Sequence, residues 1–298
     1  MKEPVGVIGL GRMGLPLALN LVRAGFTVFG CGLENVERLV AAGGCSATTP
    51  ADVARQCRLI VQSLPSSAAL DQVLHGPGGL LDVLRPGSIV IETSTYPLTI
   101  KATAADAVAT KTAIMLDCEI TGVPDMVADR SCVLFISGGN QESFDRCRPI
   151  FDAVSTAAKI HLGPFGAATK MKLVNNLLVC IHVTAAAEAL NFGMKIGLRP
   201  DHMLALIGSG AASSVMFRQR GPLMVERTFS PSSGPFRSLC KFPPAIQALG
   251  AEVDAATPLL DIAANLFKQA LDEGRAEQDV AALIDIIEHL HRTPVSRP

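Results

Sequence analysis

Residues 5–25 read VGVIGLGRMGLPLALNLVRAG, and no other stretch of the chain narrows its fold so far. An apolar run, Val5–Leu10, passes into Gly9-Leu10-Gly11-Arg12-Met13-Gly14, and the amphipathic segment behind it is closed by Gly25. Strand, glycine turn and helix in this order make a dinucleotide fingerprint. Gly9 permits the tight turn, Gly11 lets the backbone approach a pyrophosphate, and Gly14 lets the helix pack on the strand. The pyrophosphate is expected on the free N–H groups and positive end of that helix.

The next strand, Thr27–Cys31, should end in the acid that holds the adenosine ribose, but Gly32 stands there. Glu34 or Glu37 could reach the ribose from the following helix, and no arginine directly follows the strand to meet a 2′-phosphate. The expected cofactor is NAD or NADP, with a lean to NAD. Further apolar runs at Leu59–Leu64, Ser88–Thr93, Ala113–Cys118 and Cys132–Ser137 alternate with helical segments such as Gln141–Val154. That alternation implies an α/β fold with a mostly parallel, doubly wound sheet. Pro65-Ser66-Ser67 and Thr93-Ser94-Thr95 follow strands, at the carboxyl edge where such sheets bind ligands. Their hydroxyls either hold a ribose or amide or cap the next helix. A third strand end, Asp117–Pro124, offers the Thr121 hydroxyl and backbone N–H groups beside Gly122, a nest suited to a carboxylate.

After His161 the strand pattern stops and only helical periodicity follows. With 298 residues to distribute, the reading is a Rossmann domain over 1–162 and an all-helical substrate and oligomerisation domain over 163–298. One long helix joins them. From Lys170 to Phe192 there is no Gly or Pro, and the run is apolar almost all round, so the helix is expected to be buried. Lys172, Asn175, Asn176, His182 and Glu188 are set into that background, and burying such groups uncompensated costs roughly 1–3 kcal/mol apiece. Spacings of three and four gather Lys172, Asn175 and Asn176 on one face. Either the lysine snorkels from a helix end while the amides cap backbone, or Lys172 is a reactive amine in an interdomain cleft. In the second case desolvation moves its pKa towards neutrality, where it can serve as acid and base for a hydroxyl proton. Asn176, one turn on, can then orient the substrate, whereas Lys170 points elsewhere and His182 is left as a core or interface residue.

Composition excludes several partners. Lys and Arg number 26 against 27 Asp and Glu, with no basic stripe, which argues against nucleic acid and an anionic membrane surface. Hydrophobic residues make up 49% and mean hydropathy is +0.36, yet the long helix carries charges, so the excess is assigned to a buried helix and a subunit interface, a homodimer or homotetramer. The N-terminus lacks the features of a signal peptide, and the expected location is cytoplasmic. Eight cysteines without CxxC or metal spacing read as reduced core thiols. No HxxxH or HExxH pair marks a metal site, and His289 and His291 fall near the polar tail.

Taken together, GLGRMG with LALNLVRAG behind it, ETST at Glu92–Thr95, DCEITGV at Asp117–Val123, KLVNN at Lys172–Asn176, and Lys241 resemble the β-hydroxyacid dehydrogenase family, the relatives of 3-hydroxyisobutyrate dehydrogenase. The likeness covers nearly the whole chain. It implies an NAD(P)-dependent oxidoreductase acting on a small carboxylate-bearing hydroxyacid. It further implies Lys172 as the catalytic lysine, Thr121, Gly122 and Val123 around the substrate carboxylate, Asn176 on the substrate, and Thr95 and Lys241 on the cofactor. AAAEAL (Ala185–Leu190) and SSVMFRQR (Ser213–Arg220) look most like the L-threonate dehydrogenase branch. Three departures stand out: Gly32 for the ribose-binding Asp, Val123 for the second Gly of the substrate loop, and Phe242-Pro243-Pro244 behind Lys241. Gly32 motivates an alternative, a non-catalytic binding or scaffold homologue. An imine or ketone reductase on the same fold is disfavoured because such relatives usually replace the lysine.

Overall fold

The computed structural model describes residues 2–290, so His291 lies outside the described residues. The chain forms two compact units, 1–172 and 173–298, and the division falls inside a single helix.

In the first unit strands and helices alternate. In chain order they are β1 (Val5–Ile8), α1 (Gly14–Arg23), β2 (Val28–Cys31), α2 (Val36–Ala41), β3 (Cys45–Ser46), α3 (Pro50–Gln56), β4 (Leu59–Gln62), α4 (Ser67–His75), β5 (Ile89–Glu92), α5 (Leu98–Ala109), β6 (Ile114–Thr121), α6 (Pro124–Ala128), β7 (Val133–Ser137) and α7 (Gln141–Val154). The sheet order is β3-β2-β1-β4-β5-β6-β7, parallel except for β7, which runs antiparallel to β6. This is the dinucleotide-binding order, with ligands expected outside the carboxyl ends of the strands. Every residue of β1, β4 and β5 is buried, as strands covered by helices on both faces must be. Alternate residues feed two cores: Val5, Val7, Val61 and Ile91 pack with Leu17, Leu21 and Phe144, while Ile8, Ile60 and Val90 pack with Leu70 and Val108. The register sets Gln62 beside Glu92 and Glu92 beside Asp117. Three polar side chains thus line up at the carboxyl edge of an otherwise apolar sheet.

The helix α8 (Ala167–Lys195) is 29 residues long. By length and composition it could cross a membrane, but along one stripe it is a core helix, with Cys180, Val183, Ala187 and Leu190 fully buried. Its burial is one-sided, however. Met171, Val174, Leu178 and Phe192 are exposed on the opposite stripe, and so is Glu188.

The second unit continues with α9 (Pro200–Ser209), α10 (Val215–Glu226), α11 (Phe236–Leu239), α12 (Phe242–Glu252), α13 (Pro258–Asp272) and α14 (Leu283–His289). Pro243 and Pro244 fall in the first turn of α12, where a missing N–H costs no helical bond. The Asp279 side chain accepts from the Ala281 N–H and caps a short 3₁₀ turn that leads into α14.

Candidate active site

At the fingerprint, each glycine does something different. Gly9 has φ +89°, and a Cβ there would lie 2.2 Å from the Ser63 carbonyl oxygen. A Cβ on Gly14 would lie 1.9 Å from the Gly9 oxygen, so helix and turn are in contact. A Cβ on Gly11 would meet only a Glu34 carboxylate oxygen, at 3.5 Å. The turn therefore keeps one open face, a cradle that a side chain would fill. Helix α1 begins at this face with no side-chain cap and no acidic residue in its first turn, so its positive end is uncompensated from within. Arg12 is exposed beside it, Met13 is half-buried, and Leu10 is buried, its carbonyl accepting from Asn35 Nδ2 at 2.8 Å. These residues fit a nicotinamide dinucleotide.

The next two strand ends are tied together by their hydroxyls. Ser94 Oγ accepts from the Leu64 N–H at 2.8 Å, Thr93 Oγ1 donates to the Gln62 carbonyl at 2.8 Å, and Ser66 caps α4 through the Ala69 N–H. Pro65 is exposed between them. Of the hydroxyls at these strand ends, Ser66, Thr93 and Ser94 each make one structural bond. Thr95 is half-buried, and its Oγ1 donates to Glu119 Oε2 at 2.7 Å.

Strand β6 organises the rest. It has eight residues where most of its neighbours have four or five. Side chains of a strand alternate, so Asp117, Glu119 and Thr121 share one face. Asp117 Oδ2 accepts from the Thr169 N–H (2.8 Å) and hydroxyl (2.9 Å), and Ser137 Oγ accepts from the Ala168 N–H at 2.9 Å. Together they satisfy the first free donors of α8 and put a negative charge at its positive end. Lys101 Nζ, wholly buried, donates to Asp117 Oδ1 at 2.8 Å and to Glu119 Oε1 at 2.6 Å. Burial works against its charge, but Glu119 and Asp117 outweigh that and hold the ammonium above the ordinary lysine range. Glu92 completes the cluster. Burial pushes its carboxyl up to about 7 against the opposing pull of Lys101; Oε1 accepts from the Ser94 N–H and Oε2 has no partner.

One turn into α8, Lys172 Nζ donates to the Ile120 carbonyl at 2.5 Å and is buried. That carbonyl immediately precedes Thr121. Gly122 has φ +139°, and a Cβ there would crowd Cys132 and Met126 at 3.2 Å, so this position needs glycine. Val123 is half-buried and is the N-cap position of α6. Within the first unit, then, the fingerprint, Thr95, the Thr121–Val123 loop and Lys172 all lie at strand carboxyl ends or on the helix pinned to them. In the second unit, Asn176 is buried and its Oδ1 accepts from Asn175 Nδ2 at 3.0 Å, which orients the amide. Lys241 is exposed at the start of α12, its ammonium 5.3 Å from the Phe242 ring centre.

Sequence reasoning passed over Lys101 and left Glu92, Asp117 and Glu119 without roles. TIKATAADA around Lys101 reads as an ordinary solvated helix face. The signal that was present is Asp117 and Glu119 two apart in AIMLDCEIT, since acids inside a buried parallel strand require a buried partner.

Two family models cover the chain: the NAD-binding domain of 6-phosphogluconate dehydrogenase matches residues 4–163, and the NAD-binding domain of NADP-dependent 3-hydroxyisobutyrate dehydrogenase matches 166–287. The L-threonate dehydrogenase of Cupriavidus necator is 31% identical over 96% of both chains. The chain belongs to the β-hydroxyacid dehydrogenase family. Other members include the 2-(hydroxymethyl)glutarate dehydrogenase of Eubacterium barkeri, 28% identical over 98% of this chain and 97% of that one. Among solved structures, 3-hydroxyisobutyrate dehydrogenase from Salmonella typhimurium superposes with TM-score 0.84 at 27% identity, over 96% of this chain and all of that one. An imine reductase from Myxococcus stipitatus, TM-score 0.64 and 20% identity over 96% of this chain and all of that one, shares the fold alone. As a β-hydroxyacid dehydrogenase the protein is an NAD(P)-dependent oxidoreductase of a small hydroxyacid, and the relatives are consistent with a soluble protein.

Six of the eight cysteines are buried, and Cys45 and Cys240 are half-buried. All eight are free thiols, and burial pushes Cys57, Cys147 and Cys180 up to about 12. Among the described residues no group of three His, Cys, Asp or Glu is arranged to hold a metal.

Proposed function

We propose that Lys172 is the general acid and base of the reaction, with Thr121, Gly122 and Val123 receiving the substrate carboxylate. The observation that carries this reading is the 2.5 Å bond from Lys172 Nζ to the Ile120 carbonyl, which places the amine one residue from that loop. NAD(P) supplies the hydride acceptor or donor. Lys172 holds the proton of the substrate hydroxyl, the Thr121 hydroxyl and loop N–H groups fix the carboxylate, and Asn176, one turn along the same helix, orients the reacting carbon. Gly9–Gly14, Pro65, Thr95 and Lys241 hold the cofactor. Residues 1–162 are assigned to the dinucleotide and 163–298 to the substrate and the oligomer, with bounds supported by the two family-model ranges, 4–163 and 166–287. The protein is read as cytoplasmic and as a homodimer or homotetramer, the latter supported by the exposed apolar stripe of α8.

The substrate favoured is a four-carbon sugar acid of the L-threonate type, supported by the likeness to the Cupriavidus enzyme. NAD is favoured over NADP because Glu34 carries its carboxylate beside the open face of Gly11, where it can accept from a ribose hydroxyl and repel a 2′-phosphate. In a panel of L-threonate, 3-hydroxyisobutyrate and glycerate with each cofactor, L-threonate with NAD should give the highest kcat/KM. Lys172→Ala should lower kcat by about 10²–10⁴ with cofactor affinity unchanged. Turnover surviving that substitution would remove lysine from the mechanism.

A further inference from the structure

The buried cluster at β6 constrains a proton that the reaction does not consume. Glu119 has both carboxylate oxygens engaged: Oε1 faces the Lys101 ammonium at 2.6 Å and Oε2 faces Thr95 Oγ1 at 2.7 Å. Lys101 and Glu119 are wholly buried, with Asp117 as the second partner of the ammonium. Paired with an ammonium in a dry site, Glu119 is a carboxylate and has no hydrogen to give. The single hydrogen of the Thr95 hydroxyl must therefore point at Oε2. What remains on that oxygen is lone pairs, and Thr95 is only half-buried.

We propose that Glu119 is a positioning residue that fixes the Thr95 hydroxyl as a hydrogen-bond acceptor, so that the nicotinamide half of the cofactor must bring it a donor. This rests on the reading that Thr95 meets the cofactor. Two groups of that half donate, the carboxamide NH₂ and the ribose hydroxyls. A carboxamide carbonyl is refused, because two acceptors would face each other. Lys101 enters as the ammonium that engages Glu119 Oε1, and the same ammonium meets Asp117, which holds the first turn of the helix carrying Lys172. One buried cation thus serves both the cofactor wall and the base of the catalytic helix.

The test measures the affinity of the full-length protein for the preferred oxidised cofactor and two analogues. In one, 3-acetylpyridine replaces nicotinamide, so a methyl stands where the NH₂ was. In the other, the nicotinamide ribose lacks both its hydroxyls. Wild-type protein should bind one of the two about tenfold more weakly than the parent cofactor, as for one hydrogen bond lost in a closed site, and which one identifies the donor. In Thr95→Ala that discrimination should disappear. In Glu119→Gln it should shrink, because a glutamine carbonyl turned to Lys101 offers its N–H₂ to Thr95 and frees the hydroxyl hydrogen. If wild type treats all three ligands alike while Thr95→Ala weakens all of them, Thr95 meets the cofactor but not as a fixed acceptor, and the inference falls alone. If Thr95→Ala changes nothing, the placement of Thr95 at the cofactor fails and the inference with it. Full discrimination in Glu119→Gln would remove Glu119 from the role. Should that variant not fold, the analogue comparison in wild type and Thr95→Ala still decides.

Discussion

An added Cβ at Gly32 would lie 3.1 Å from the Leu10 nitrogen and 3.3 Å from its Cβ, closer than side chains ordinarily come. A side chain at this position therefore requires Leu10 to give by a few tenths of an ångström. Asn35, at φ +61°, holds Leu10 in place by donating to its carbonyl. Placing an acid there by Gly32→Asp should lower the melting temperature without improving NAD affinity, and thermal melts with and without NAD check both halves. Glu34→Gln keeps the shape and removes the charge, so the ratio of NAD to NADP affinity should fall by about tenfold. A ratio that does not change would move the discrimination to another residue.

At the scale of elements, the fingerprint turn, the alternation of strands and helices and the position of α8 were all legible, because each rests on local periodicity and on glycine and proline placement. The burial of Lys172 and Asn176 was legible too, as polar residues in an apolar helix. What escaped was long-range pairing. Lys101 meets Asp117 and Glu119 across 16 and 18 residues of sequence, and Thr169 meets Asp117 across 52. No window of periodicity contains both partners. The strand β3 also escaped, being two residues long. Asp117→Asn should weaken the hold on the first turn of α8 and on Lys101 together, costing on the order of 3 kcal/mol of stability in denaturant unfolding. Hydrogen exchange should show the loss first at Ala168 and Thr169. Uniform loss across the unit would mean that Asp117 matters only for folding.

For the molecule as a whole, the buried Glu92 makes stability depend on pH in an unusual direction. Its carboxyl is raised from 4.5 to about 7 by burial, with Lys101 only partly offsetting this, so between those values the folded chain holds a proton that the unfolded chain has released. Stability contributed by this group is complete below about pH 4.5, falls as pH rises through 7, and is flat beyond. Chemical denaturation at stepped pH should show that decline, and Glu92→Gln should flatten it. The α8 stripe bears on the same scale: Val174→Glu with Leu178→Glu should reduce the molar mass seen by light scattering to that of one chain.

The alternation along β6 also limits what this chain can become. Asp117, Glu119 and Thr121 face one way, Cys118 and Ile120 the other, and the carbonyl of Ile120 receives the amine. Inserting or deleting one residue between 114 and 117 would exchange the two sets, turning both carboxylates into the core that Cys118 and Ile120 now fill. The helix would lose its anchor and Lys101 both its partners in the same event. Past Thr121 the register is still held, because Gly122 at φ +139° lies against Cys132 and Met126 and leads into α6. Under the proposed carboxylate role of Thr121–Val123, new substrates are reached by changes of residue there, whereas the strand beneath admits changes of residue but not of length.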